Sequence, residues 1–277
     1  MKYMERIIFG GIAVLGLGSV SAAFACSPDG WTSQGDHVVA PSLVGTPVDG
    51  VARYSEFCAF SVDGDSSYVQ SNHTGDTDTR YIGRFYVYPH PGASGTVDIF
   101  IAYSDEGATA QLFKATLDGT DLTFTFPGDT ATASVVSGNW NLIEFDYNST
   151  ADADTFSYWV NEPWDSDALV YEDGDGDSGT VAMTAGDIAV RAVQLGAPNG
   201  GLTGKLNFDA FEAHRTQNVG ALLRGDANAD ESVNIIDYSA VQAEILGTLQ
   251  AGQPDCNEDG QINILDYGCI QTVILGG

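Results

Sequence analysis

One pattern, written twice near the end of the 277-residue chain, constrains its fold more than any other feature. Aligning Gly225–Gly247 with Pro254–Gly276 gives 11 identities in 23 positions. Each copy reads D-x-N-x-D-x-x-[VI]-N-x-x-D and runs directly into an apolar pattern of helical period. One loop followed by one helix buries too little apolar surface to fold alone, so the two copies must share a core. Val233 and Ile262, inside the loops, are expected between them. Each helix is expected to bury one stripe: Tyr238, Val241 and Ile245 in the first copy, Tyr267, Ile270 and Ile274 in the second.

The loop chemistry is that of a hard cation. Oxygen donors at positions 1, 3, 5 and 12, a backbone carbonyl at 7 and a water-bridging group at 9 match the roughly six to eight oxygens that calcium takes. The expected ligands of the first loop are Asp226, Asn228, Asp230, the Ser232 carbonyl, Asn234 through water, and Asp237. Those of the second are Asp255, Asn257, Asp259, the Gln261 carbonyl, Asn263 and Asp266. Both copies carry Asp at position 12, where an EF-hand has Glu. Glu231 stands where Gly260 makes the sharp turn of the second loop, which predicts a more strained first site.

A calcium loop followed by a single helix, duplicated, resembles the type I dockerin domain over Gly225–Gly277. The resemblance implies a module that binds two calcium ions and docks, while they are bound, onto a cohesin domain of a scaffold or surface protein. The family's recognition positions fall on Ile235, Ile236, Gln242 and Ala243, and on Ile264, Leu265, Gln271 and Thr272. Many members carry Ser-Thr at the first two positions of each set and basic residues at the last two. The apolar residues here imply a more apolar partner surface. The plainer reading is calcium used for folding alone.

The beginning of the chain reads as an export signal over residues 1–25: Lys2 and Arg6, then an apolar Ile7–Val20, then Ala23-Phe24-Ala25 as a cleavage site. The mature protein would be extracellular and held at a surface through the docking module. No later apolar run is long enough to insert in a membrane. A formal net charge of −28, with no Lys or Arg after Arg224, excludes electrostatic attraction to nucleic acid or to an anionic membrane. Four cysteines in an exported chain imply oxidation and allow three pairings. Sequence locality favours Cys26 with Cys58 and Cys256 with Cys269, one bridge per domain.

The region 26–217 is read as one β-sandwich, and 218–277 as the small helical module. Period-two runs such as Val97–Tyr103, Leu122–Phe126 and Ile143–Tyr147, punctuated by Asp118-Gly119, Pro127-Gly128 and Ser137-Gly138, predict two packed antiparallel sheets. Tyr81–Tyr88, Gly138–Phe145 and Gly204–Glu212 are similar to phrases of concanavalin-like and laminin-G-like jelly rolls, a family of lectins, adhesion modules and glycoside hydrolases.

Glycoside hydrolysis needs two carboxylates flanking the scissile bond. Glu144 and Asp146 have a suitable spacing on one strand face, but Asn148 stands at the next position on that face. The plainer reading is a pair of solvated carboxylates, and no catalytic residue is assigned. Asp173, Asp175 and Asp177 suggest an acidic hairpin loop or a weak calcium site, with Thr184 at the twelfth position. Trp140 and Trp159 are expected in the core, and Trp164 in a loop where it could stack on a sugar ring. The sequence therefore predicts a non-catalytic calcium-binding docking protein whose sandwich binds glycan, adheres or supports. The alternatives are a polysaccharide-degrading enzyme delivered by the module, and a free-standing lectin that needs calcium only to fold.

Overall fold

A computed structural model describes residues 51–275 apart from 53, 56–57, 64–66, 151–152, 166–167 and 249; before residue 51 it describes 5–6, 32–34 and 37–41. The export signal, the Cys26–Cys58 bridge and Trp31 lie outside the described residues, save that Glu5–Arg6 forms a short strand. The chain separates into two compact units. One covers Val62–Ala221 together with Glu5–Arg6, Thr32–Gln34 and His37; the other unites Leu222–Gly277 with the described residues of Val38–Ser61.

The strands, in chain order, are β1 (Glu5–Arg6), β2 (Thr32–Gln34), β3 (His37–Pro41), β4 (Cys58–Asp63), β5 (Ser67–Asn72) and β6 (Arg80–Pro89). They continue with β7 (Thr96–Tyr103), β8 (Gln111–Asp118), β9 (Asp121–Phe126), β10 (Asp129–Ser134), β11 (Asn141–Thr150) and β12 (Ala153–Val160). Then come β13 (Trp164–Asp165), β14 (Val170–Tyr171), β15 (Asp177–Ala182), β16 (Ala192–Ala197) and β17 (Lys205–His214), before α1 (Ile235–Ile245) and α2 (Ile264–Ile274). The border between the units falls within β3 and β4.

The first unit is a β-sandwich, as the period-two runs predict. One sheet runs β15-β12-β11-β6-β17 and the other β10-β9-β8-β7-β16-β5-β2. Alternation puts Phe145 and Tyr147 of β11 on the same face, where they meet Phe113 of β8 at ring-centroid distances of 5.1 and 5.2 Å. Phe100 of β7 lies 5.9 Å from Phe85 of β6, and Phe156 of β12 lies 4.6 Å from Phe126 of β9. These aromatic contacts between sheets form the core that the period-two runs predict. Four strands carry no apolar run that would announce them: β10 alternates small Ala and Thr, β15 grows out of the acidic glycine run, and β13 and β14 are too short. The β17–β6 register slips between Asp209 and Glu212, where Ala210 adopts a left-handed φ of 49°.

The helices of the second unit share one core, as the duplication requires. Ala227, Ala240, Val241, Cys256 and Ile270 are buried, with Val233, Ile262, Tyr238 and Tyr267 packed against them. The duplicated tyrosines stack on each other at 5.5 Å with ring planes 13° apart. The buried stripe is shorter than expected: Ile245 and Ile274 are 43% and 42% exposed. In α1 the fourth inward position is instead Glu244, whose Oε2 accepts the Gln250 N–H. A return of the chain, rather than a second apolar layer, covers that end of the helix.

Candidate metal centre

Position 12 of each loop has two tasks in the structure. Asp237 and Asp266 stand at the third residue of α1 and α2 and complete capping boxes with Asn234 and Asn263. Asp237 Oδ2 accepts the Asn234 N–H at 2.8 Å, and Asp266 Oδ2 accepts that of Asn263 at 2.7 Å. Their Oδ1 atoms face back across the loops, where they accept the N–H of Asn228 and Asn257, both at 3.3 Å. The helix start and the loop closure are thus fixed by the same carboxylate. The Asn234 and Asn263 side chains are engaged in capping, accepting from Ile236 at 2.9 Å and Leu265 at 2.8 Å.

At position 1, Asp226 accepts the N–H groups of Asp230 and Glu231, whereas Asp255 accepts that of Gly260 at 2.8 Å through one oxygen. Asp255 Oδ1 is buried with no hydrogen-bond partner. Burial, and then the charge of Asp266, pushes the Asp255 carboxyl up to about 8. Burial likewise raises Asp226 and Asp266 above the usual carboxylate range. Asn228 Nδ2 and Asn257 Nδ2 each donate to the Asp two residues on, at 3.0 Å. Among the described residues, no three His, Cys, Asp or Glu side chains gather closely enough to hold an ion by themselves. The expected donors instead mix carboxylate, amide and carbonyl oxygens, the hard set that calcium selects. A buried carboxylate oxygen with an open lone pair fits a cation there.

The two loops differ in finish. Positions 4 and 6 are left-handed in both: Ala229 and Glu231 at φ 60° and 65°, Glu258 and Gly260 at 63° and 80°. A side chain in that region costs on the order of 1 kcal/mol, so Glu231 carries strain that Gly260 avoids. Cys256 and Cys269 form a disulfide that joins position 2 of the second loop to its helix, with a Cα–Cα distance of 5.7 Å.

The recognition positions lie outside. Ile235, Ile236, Ile264 and Leu265 are 77%, 56%, 76% and 62% exposed; Gln242, Gln271 and Thr272 are exposed, and Ala243 is half-buried. Leu246 and Leu275, at 77% and 76%, extend this surface. The expected recognition positions do not include them, although Ile235, Ser239, Gln242 and Leu246 share one helical face by spacing, as do Ile264, Gly268, Gln271 and Leu275.

Glu144 and Asp146 of the sandwich require a correction, since neither is solvated. Glu144 is fully buried. It accepts from the Tyr171 hydroxyl at 2.8 Å and from the N–H groups of Val219 and Gly220 at 3.0 and 2.8 Å. The β13–β14 hairpin and the chain at 219–220 fold over this strand face, which local periodicity could not foresee. Burial raises the Glu144 pKa despite these donors. Asp146 accepts from Arg80 Nη2 and Nε at 2.6 and 3.2 Å. Arg84 Nη1 donates to the Gly220 carbonyl, and a Cβ at Gly220 would collide with the Trp164 ring.

Trp140 is buried, as expected, but Trp159 is half-exposed and stacks on Tyr171 at 5.2 Å. Trp164 belongs to a strand pair and meets the same Tyr171 at 4.8 Å. The run Asp173–Asp177 joins β14 to β15, which pair with β13 and β12 and not with each other, so it is a connecting loop rather than a hairpin; Asp177 at its end accepts the Ser134 N–H at 2.7 Å.

No curated protein matches the sequence. Among solved structures, the Cip1 cellulose induced protein aligns at a TM-score of 0.46 and 14% identity over 70% of this chain and 95% of its own. The botulinum neurotoxin type G receptor binding domain aligns at 0.40 and 8% over 68% of this chain, and a mutant Trypanosoma rangeli sialidase at 0.41 and 12% over 68%. The chain spans less than half the length of the neurotoxin domain and of the sialidase, at 43% and 31%. Among the described residues no helix is long and apolar enough to cross a membrane. The paired loops and their shared core coincide with a family match: residues 224–275 match the dockerin type I domain.

Proposed function

We propose that the C-terminal unit binds two calcium ions, one per loop, and that this folded, loaded state docks onto a cohesin-type domain of a surface or scaffold protein. The observation that carries the reading is the coupling at position 12. Asp237 and Asp266 close the loops and start the helices whose outer faces expose Ile235, Ile236, Ile264 and Leu265. When bound, calcium supplies charge compensation among carboxylates that burial disfavours. The protein's own part is to hold the donors in two short loops and to present the apolar helix starts in one orientation. An uncovered apolar patch of this kind suits a protein partner.

The sandwich is proposed as the non-catalytic part of an exported protein, with a binding, adhesive or supporting role. Glu144 is occupied by three donors and Asp146 by Arg80, which leaves neither placed to act on a glycosidic bond. The test is capture from the envelope and secreted proteins of the source organism. The mature chain should retain a cohesin-type partner in calcium, lose it in chelator, and lose it in the double variant Asp237→Ala, Asp266→Ala. Capture that ignores calcium and both substitutions would sink the docking reading.

A further inference from the structure

The second loop has an outer layer, supplied by residues far upstream in sequence, that the first lacks among the described residues. Ala52 donates its N–H to the Gly260 carbonyl at 2.6 Å, on the sharp turn of the loop. The Tyr54 hydroxyl donates to Glu258 Oε1 at 2.8 Å, at loop position 4. Val51, Ala52, Tyr54 and Ser55 are 5%, 5%, 1% and 7% exposed, and they belong to the same compact unit as the loops. Within the duplication the loops back each other in a matched way. Gln253 N–H donates to the Asp226 carbonyl at 2.7 Å, and Arg224 Nε to the Cys256 carbonyl at 2.6 Å. The contacts of Ala52 and Tyr54 come on top of that exchange and fall on the second loop. Gly260, whose carbonyl Ala52 holds, donates its own N–H to the fully buried Asp255, whose Oδ1 has no hydrogen-bond partner. In the first loop Asp230, Glu231 and Ser232 are exposed.

We propose that Ala52 and Tyr54 form a strap that closes the second calcium loop, so that its ion is a slowly exchanging structural cation while the first loop follows free calcium. The inference rests on the reading of both loops as calcium sites. An ion leaves such a loop when the loop opens, and local opening is slowest where the most buried contacts must break together. Opening the first loop breaks its exchange with Gly252 and Gln253. Opening the second must also break the Gly260 and Glu258 contacts of the strap. The strap further makes the calcium module discontinuous in sequence: a fragment that starts at residue 218 lacks it.

The test is release of calcium from the full-length loaded chain into excess chelator, followed by native mass spectrometry, with circular dichroism as a check on folding. Wild type should lose one ion quickly and the second slowly. Asp237→Ala should retain the slow ion, and Asp266→Ala the fast one. Tyr54→Phe keeps the ring and removes the hydroxyl; it should speed the slow phase about tenfold, as loss of a hydrogen bond to a charged group does, and leave the fast phase unchanged. Reducing the Cys256–Cys269 bridge in wild type separates its contribution from that of the strap. Two ions released at one rate, or a slow phase indifferent to Tyr54→Phe, would overturn the strap and leave docking standing. A chain that takes up no calcium would overturn the proposed function itself.

Discussion

Glu144 in the sandwich and Asp255 in the second loop are both withdrawn completely from solvent, yet their surroundings differ in kind. Both carboxyls are raised in pKa by burial. Around Glu144 the fold supplies a tyrosine hydroxyl and two backbone N–H groups. Around Asp255 it supplies one N–H and leaves an oxygen open. The comparison teaches that burial does not mark a ligand-binding acid; unmet hydrogen-bonding capacity does. A carboxylate with three donors is an architectural acceptor, and one with a free oxygen in a carbonyl-lined loop is set up for a cation.

Calcium removal should separate the two regions most sharply. In a calorimetric scan of the full chain, chelator should lower or abolish the transition of the dockerin-like unit and leave that of the sandwich in place. A ligand at a thousandfold excess over its Kd contributes about 4 kcal/mol. If both regions shift together, the contrast between a metal-dependent and a self-sufficient carboxylate fails.

Glu144→Ala tests the other side. It strands the Tyr171 hydroxyl and two backbone N–H groups, so the sandwich should lose on the order of 3 kcal/mol in denaturant unfolding, with calcium uptake unchanged. Loss of calcium uptake in this variant would make Glu144 more than an internal acceptor.

The smallest effect concerns His214, whose Nε2 lies 3.1 Å from Glu212 Oε1. That hydrogen bond raises the imidazole pKa above its ordinary value. The stability it contributes is complete below the unfolded value of about 6.5 and is lost as pH rises through the higher folded value. Unfolding midpoints of the sandwich measured across that window should fall less steeply with pH in His214→Gln than in wild type. Equal slopes would show that Glu212 does not stabilise the protonated imidazole.

The loops were legible in the sequence because every donor lies within twelve consecutive residues and the spacing itself carries the chemistry. The long strands were legible for the same reason, since Ile143, Phe145 and Tyr147 announce a buried face by alternation alone. What escaped depends on chain that returns from elsewhere. Glu144 reads as solvated until Tyr171 and Gly220 arrive, 27 and 76 residues later. Ile245 and Ile274 fit the helical period, yet each helix outruns the small core that two repeats can build. Tyr54 gives no local sign of its bond to Glu258, 204 residues away.

The exchange between repeats bears on how such a module can be inherited. The carbonyl of Asp226 is held by the backbone of Gln253, which immediately precedes the second copy, and that of Cys256 by the side chain of Arg224, which immediately precedes the first. Half of the duplication is therefore not a smaller version of the whole, because each half lacks the groups that finish its own loop. Recombination that moved one copy would deliver a sequence motif without the contacts that finish its loop, so a transplant between proteins has to carry both copies together with the residue that precedes each.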